Sequence, residues 1–470
     1  MPITSEHPEY RKQKNKWELV RAIINNDAKK FLHPFENTSI YQQRIYREYA
    51  LLVNFTNLTK VGLTGLVFRK DGEVSLPSEL NYLLDDVTGT GLNLDQFGQF
   101  SIGETLQTGR LLFLADFPRR DGVVSVLDQD RLGLNARIVP YPAESVRNWQ
   151  TKRVGSKTIL TKLVLEELRD ELGKDGFEWM QKRYYRVLSF NAAGQYTQAV
   201  LDEHEEIIEE PRVVVDGQGN PFREITVAIA GSSNNDWVLD HPPLYDMARL
   251  NLQHYRNSAD LEESIRIHGQ ATAVMTGELD IESFKQHYGD TLAFGASKLY
   301  YLQGQGSVDL VQAGANTLVS AEMKRKEEQA AAIGARLIAP PGGRETAEAA
   351  RIRYGSQNSA LFTLTSNVSK AMTKALKFCA QFMNAPDENI VYELNRKFYD
   401  EKVDPNLLAM MKEMLSPEVL SKNDVRQYLR DTNVLSEQRT DSNIESDIRK
   451  NPIPERDDDN GVEDAQTPEG

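Results

Sequence analysis

Residues 242–260 read PPLYDMARLNLQHYRNSAD. The double proline stops whatever precedes it, because proline has no N–H to donate and fixes its own backbone angle. From Leu244 to Ile267 the pattern is helical, with Leu244, Met247, Leu250 and Leu261 roughly in register and most other positions polar. A second helix of this kind is predicted from about Asn316 to Leu337; its middle, Glu322–Gln329 (EMKRKEEQ), is almost wholly charged. A helix that is polar nearly all round cannot sit in a core, so each is expected to be a solvated strut or to line a wet surface. Between them, Gln270–Val311 carries strand-like runs at Thr272–Met275, Lys298–Leu302 and Val308–Val311, separated by glycines.

Downstream, Ala339-Pro340-Pro341-Gly342-Gly343 is a loop, and the longest helix candidate follows, Glu345–Phe382. Leu361, Leu364, Val368, Ala371, Ala375, Cys379 and Phe382 recur three or four apart, the spacing of a core-facing stripe. A further helix is predicted over Pro405–Tyr428, and from about Leu435 the chain is expected to lack structure. Upstream, Trp17, Val20, Ile23 and Ile24 mark one helix, and Ser39 is placed to cap a second that carries Tyr41, Ile45, Tyr49 and Leu52. Lys60–Phe68 fits strand or helix. Leu94–Thr108 reads as a helix ended by Gly109, and Leu111–Ala115 as a buried strand. From Ala136 to Ile229 five runs rich in β-branched and aromatic residues predict a mostly antiparallel sheet, with turns at Ala193-Gly194 and Asp216–Asn220 and acidic patches, Glu166–Glu171 and Glu203–Glu210, between strands. The fold class is α+β.

The chain has 470 residues, 40% hydrophobic and 26% charged, as soluble globular proteins do. No window approaches the roughly 18 to 20 apolar residues of a membrane span, so no membrane partner is expected. The polar start, MPITSEHPEYRKQKNKW, is unlike a secretory signal. The single cysteine, Cys379, excludes an internal disulfide framework. Lys plus Arg is 55 and Asp plus Glu 69, a net of 55 − 69 = −14. Eleven acids against four bases fall between Glu437 and Gly470, so half of that excess sits in the tail. The body is only mildly acidic, unlike a tight nucleic-acid binder.

The motifs of catalysis are missing. There is no GxxxxGK[ST], HExxH or GxSxG. Val154-Gly155-Ser156-Lys157-Thr158 lacks the upstream glycine of a phosphate loop, and Asp128–Gly133 opens like a calcium loop but has Val139 where the twelfth-position Glu is required. The seven histidines are scattered, and His254 and His268 would stand about 21 Å apart on one helix. No cofactor is implied, and the chain is expected not to be an enzyme.

The order of parts resembles the portal proteins of tailed bacteriophages, and Tyr41–Phe68, Gly103–Pro118, Pro140–Trp149 and above all Pro242–Asp260 resemble a portal-like phage family often described as of unknown function. The resemblance spans roughly residues 35 to 385. It implies an N-terminal region and wing over 1–241, a first stem helix over 242–268, a clip over 269–315, a second stem helix over 316–337, a tunnel loop over 338–347, a long wing helix over 348–384, a helical crown over 385–435 and a disordered acidic tail over 436–470. It also implies a homo-oligomeric ring, usually of twelve subunits, at one capsid vertex of the virion, assembled in the host cytoplasm. Double-stranded DNA would pass through it without sequence specificity. The large terminase and then head–tail adaptor proteins would dock on it, and scaffold or major capsid protein would contact the wing.

Under that resemblance Lys324, Arg325, Lys326 and Arg336 are the candidates to face phosphate in the channel. The competing expectation is that Lys324–Lys326 pair with Glu322, Glu327 or Glu328. Pro340, Pro341, Gly342 and Gly343 would form the tunnel loop, with Arg344 meeting phosphate. Tyr300, Tyr301 and Leu302 would be subunit contacts or the core of the small insert. The competing functions are another head–tail connector or minor capsid protein, an enzyme with an unrecognised site in residues 60–240, and a scaffold built on the long helices.

Overall fold

The computed structural model describes residues 2–34, 39–118, 133–173, 176–268, 272–289, 292–294, 297–311, 317–338 and 360–398, and, further on, 408–411, 414, 421–431, 434–435 and 439–450. Two compact units result, Met1–Arg396 and Lys397–Gly470.

The first unit opens with helices α1 (Pro8–Ile24), α2 (Ile40–Tyr49), α3 (Phe55–Val67), the single turn α4 (Tyr82–Asp85) and α5 (Leu94–Thr108). Ser39 caps α2 and Asn93 caps α5, each in a reciprocal box with the Gln three residues on. α5 ends at Gly109, whose φ of 77° lies in the left-handed region. A Cβ there would also stand 3.1 Å from the carbonyl oxygens of Asp240 and His241. Lys60–Phe68, open to either reading, is helical through Val67.

Strands β1 (Glu73–Ser75), β2 (Arg110–Asp116), β3 (Arg137–Pro142), β4 (Val146–Val154), β5 (Lys157–Leu172), β6 (Trp179–Phe190), β7 (Tyr196–Asp202), β8 (Ile207–Val213) and β9 (Val227–Gly231) build the body. They form a three-stranded sheet, β3-β2-β9, and a five-stranded meander, β4-β5-β6-β7-β8, all antiparallel as expected. All seven residues of β2 are buried. The Ala193-Gly194 turn is present, with Asn191 Oδ1 accepting from the Ala193 and Gln195 amides.

The acidic patches do not simply lie between strands. Glu166–Glu171 is inside β5, and Glu209 and Glu210 of the second patch are in β8. Bases on β6 and on β5 itself make this possible: Arg186 Nε bonds Glu167 at 2.5 Å, Lys182 bonds Glu171 at 2.7 Å, and Arg169 of β5 bonds both Glu167 and Glu209.

Beyond β9 come α6 (Tyr245–His268), β10 (Thr272–Gly277), α7 (Ile281–Tyr288), β11 (Leu292–Phe294), β12 (Ser297–Gln303), β13 (Ser307–Val311), α8 (Thr317–Ile338), α9 (Ala360–Met383) and β14 (Val391–Glu393). α9 packs on β2, β9 and α5. Leu364, Val368, Ala371, Met372, Ala375, Leu376 and Cys379 are at most 3% exposed, and each large apolar side chain contributes about 1.5 to 3 kcal/mol on burial. The part of the predicted long helix before residue 360 lies outside the described residues. β14 pairs with β1, so residues 385–396, assigned by the resemblance to a crown, continue the body.

In the second unit α10 (Lys422–Asp431) overlaps the predicted 405–428 helical stretch, most of which lies outside the described residues. Asp441–Lys450 forms α11 where no structure is expected from the sequence. Its acids have partners: Asp441 is bonded by Arg430, and Glu445 by Arg426 at 3.3 Å.

Candidate functional site: the helix pair and its small sheet

α6 and α8 lie against each other, and the small sheet is inserted between them in the chain. The sheet has the order β11-β12-β10-β13, with β10 parallel to β12 and antiparallel to β13.

The sequence predicts α6 as a solvated strut or as the lining of a wet surface. In the structure Met247, Ala248, Leu252, Tyr255 and Ala259 are buried, and most of its buried polar groups are matched, His254 Nδ1 excepted. Asn251, fully buried, accepts from the Thr56 amide at 3.2 Å and hydroxyl at 3.0 Å and donates to the Val53 carbonyl at 2.8 Å. Ser258 Oγ accepts from the Leu51 amide at 3.0 Å, Tyr46 donates to Asp260 at 2.7 Å, and Arg256 donates to the Phe31 carbonyl at 3.1 Å. A buried polar group costs little once every bond is made. α6 is therefore riveted to α2 and α3.

α8 keeps the expected exposure. Among its described side chains only Ala330 is buried, and Leu318 is 79% exposed. A polar link joins it to α6: His254 Nε2 stands 3.2 Å from Glu327 Oε1, the imidazole buried and edge-on to Phe55. Arg325 bonds both oxygens of Glu322, at 2.8 and 2.5 Å, and Lys326 bonds Oε1 at 2.9 Å. Those two cations pull the Glu322 carboxyl down to about 2. Lys324 is exposed and has no partner among the described residues. Arg336 lies in the last turn of α8, its side chain outside the described ones; Pro340, Pro341, Gly342, Gly343 and Arg344 lie outside the described residues altogether.

In the small sheet, Tyr301 stacks on Phe284 of α7 at 3.7 Å and donates to the Leu279 carbonyl at 2.9 Å. It is core. Its strand neighbours Tyr300 and Leu302 point to the other face and are 60% and 55% exposed.

Two features escape the sequence reading. Arg110 opens β2 only 2% exposed, against the adjacent rings of Trp149 and Trp237, and none of its guanidinium nitrogens has a hydrogen-bond acceptor among the described residues. Its only signal is a base heading the apolar run RLLFLA. The stretch VGSKT is the turn of the β4–β5 hairpin, with Gly155 at φ 61°. Among the described residues no group of three His, Cys, Asp or Glu side chains is placed to hold a metal, and no helix is long and apolar enough to cross a membrane.

Residues 243–383, from the start of α6 to the end of α9, match a family model described as a domain of unknown function (DUF4055). No curated protein matches the chain. Among solved structures, the chain is similar to one of the virion of a native gene transfer agent (GTA) particle, at 13% identity and a TM-score of 0.37 over 84% of this chain and 95% of that one. It is likewise similar to structures of the neck of the empty GTA particle computed with C6 symmetry (13% identity, TM-score 0.39, 84% and 95% covered) and of the native particle computed with C12 symmetry (13%, 0.39, 81% and 91%).

Proposed function

We propose that this chain is the repeating subunit of a portal-type ring at one vertex of a phage-like capsid, the conduit by which double-stranded DNA enters and leaves. The observation that carries the reading is the helix pair: α6 riveted to the body, α8 with 11 of its 18 described side chains exposed, and a small sheet inserted between them. An exposed, charged, 22-residue helix is intelligible if copies stand side by side around a wet bore.

A conduit must not grip its cargo. Every phosphate neutralised by Lys or Arg adds about 0.9 to the slope of log affinity against log salt. Arg325 and Lys326 are engaged by Glu322 of the same helix, which leaves Lys324 as the α8 cation free to meet phosphate among the described side chains. Arg336 and Arg344 are proposed to add to it, the latter from a tunnel loop over 338–347 containing Pro340–Gly343. The region 1–241 would be the N-terminal region and wing, 242–268 and 316–337 the stem, and 269–315 the clip that meets the terminase and later the head–tail adaptors. Tyr300 and Leu302 are the clip residues offered to a neighbour; Tyr301 is occupied within the subunit. Nothing in this role asks the chain for catalysis.

The test is native mass spectrometry with negative-stain imaging of the purified chain. Twelve chains of 53.2 kDa give 12 × 53.2 ≈ 638 kDa and a ring with a central hole. A chain that stays monomeric up to assembly concentrations sinks the reading. A ring that forms but does not admit duplex DNA would favour a head–tail connector or minor capsid protein instead.

A further inference from the structure

The five-stranded meander has two unlike edges. At one, the β4–β5 hairpin projects so that every residue from 150 to 159 is exposed. Between Val146 and Leu165 there are five bases and no acid, in a chain of net charge −14. Lys152, Lys157 and Lys162 have no side-chain partner among the described residues. Cross-strand register pairs Lys152 with Ile159 and Val154 with Lys157, so one face of the ribbon carries two lysines and two aliphatic side chains, Val154 52% and Ile159 41% exposed.

At the other edge, residues 202–210 read DEHEEIIEE, six acids and no lysine or arginine. Asp202 folds the turn by accepting from the His204 and Glu206 amides, Glu205 accepts from the Ile3 amide, and Glu209 holds Arg169. Glu206 and Glu210 have no side-chain partner among the described residues. Ile207 and Ile208 beside them are 52% and 47% exposed.

We propose that the basic β4–β5 hairpin of one copy docks on the acidic β7–β8 turn and edge strand of the next. The inference rests on the ring reading above and names the contact that closes it. Lysines meet acids, and Val154 and Ile159 meet Ile207 and Ile208. The two patches are complementary but lie on different edge strands, and the cross-strand register sets Ile207 level with Glu166, seven residues or about 23 Å along β5 from Ile159, so they do not meet within a chain. A contact between two different patches is heterologous, the kind that generates a ring when its rotation closes. Like meeting like is repelled at either edge, which prevents sheets from pairing through the same strand. A two-stranded ribbon is also marginal alone in water, and a neighbour's surface would hold it. Duplex DNA would use the lysines but bury neither aliphatic side chain.

The experiment measures assembly of the full chain by mass photometry across protein concentration. Lys152→Glu with Lys157→Glu is expected to raise the concentration at half-assembly by at least about tenfold, and Glu206→Lys with Glu210→Lys to do the same. Joining both pairs in one chain is expected to return it to within about threefold of the starting protein. Zero-length carbodiimide coupling of an isotopically mixed, unmutated sample is expected to yield peptides linking 150–162 of one copy to 202–210 of another. Unchanged assembly in either swap, failure of the combined swap to restore it, or linkage only within one copy overturns the contact while leaving the ring. A swap that spares assembly but weakens binding of a 30-bp duplex about tenfold overturns it in favour of nucleic acid. Absence of any assembly in the unmutated chain overturns the ring reading itself.

Discussion

Arg110 stands against two tryptophans that pack on each other, its guanidinium carbon 4.8 Å from the Trp149 ring centroid and 5.1 Å from that of Trp237, with the two rings 6.3 Å apart. Burial pushes this guanidinium down to about 10, while Asp240 and Asp236 act to hold it up. Two aromatic faces offset part of the desolvation, roughly 2 kcal/mol when water is excluded, but the donors stay unmatched. The cost of the charge is therefore fully present at neutral pH and is relieved only as pH rises through about 10 toward the ordinary 12.5. Arg110→Met, similar in length and apolar, is expected to stabilise the fold by about 1 to 3 kcal/mol at pH 7, read as a higher urea midpoint.

Glu327 is the polar tie of α8 to α6. Its removal leaves His254, whose side chain is 1% exposed and whose Nδ1 already lacks a partner, with no side-chain hydrogen bond among the described residues. Glu327→Ala is expected to cost about 1 to 2 kcal/mol, and Glu327→Gln, which keeps an acceptor, less than half of that. Denaturant unfolding of the three chains measures the difference; equal midpoints would show that α8 is held by other contacts.

Glu167 sets an acid limit. Burial pushes its carboxyl up, but the charge of Arg186 and the bonds from Arg186, Tyr141 and Arg169 outweigh it, and the net shift is downward from 4.5. A depressed carboxylate contributes stability above its ordinary value, and the contribution is lost as pH falls through the lower folded value. Glu167→Gln is expected to melt lower than the parent chain at pH 7, by about 2 to 4 kcal/mol. The gap should close as pH falls below 4.5. A gap independent of pH would assign the loss to packing.

Cys379 is fully buried on α9, and burial, with Asp116 adding to it, pushes its thiol well above the usual range. Thiolate is the reactive form. Ellman's reagent at about pH 8 is expected to find almost no thiol in the native chain and about one per chain in guanidinium. Rapid native labelling would mean that α9 opens from the sheet.

Much of the body can be read from residues whose reasons are local. Ser39 and Gly109 mark helix ends through their own backbone bonds, and the Leu361–Phe382 stripe needs only helical spacing. Where partners are distant in the chain, the reading fails. Asn251 looks like a solvated residue until Thr56, 195 positions away, is brought against it. Glu167 and Glu171 look like a loop until Arg186 and Lys182 arrive from the next strand. Nothing near Arg110 in sequence announces Trp149 or Trp237. The Lys324–Lys326 run is ambiguous by its nature, since the same bases suit phosphate or Glu322, and the choice of rotamer decides.

The central strand β2 is flanked by β3 and by β9, and its open face is closed by α9. Arg110 pairs with Gly231, and Leu364 and Val368 come from far later in the chain. On the ribosome, then, β2 emerges long before its last covering element. All of α6, the small sheet and α8 are synthesised while the apolar surface of Leu111–Ala115 still waits for residues 360–383. Contacts so far apart close slowly, and a nascent chain with such a surface open is a natural client for chaperones. The order of synthesis thus delivers the small sheet and α8 before the sheet that begins with β2 can finish folding.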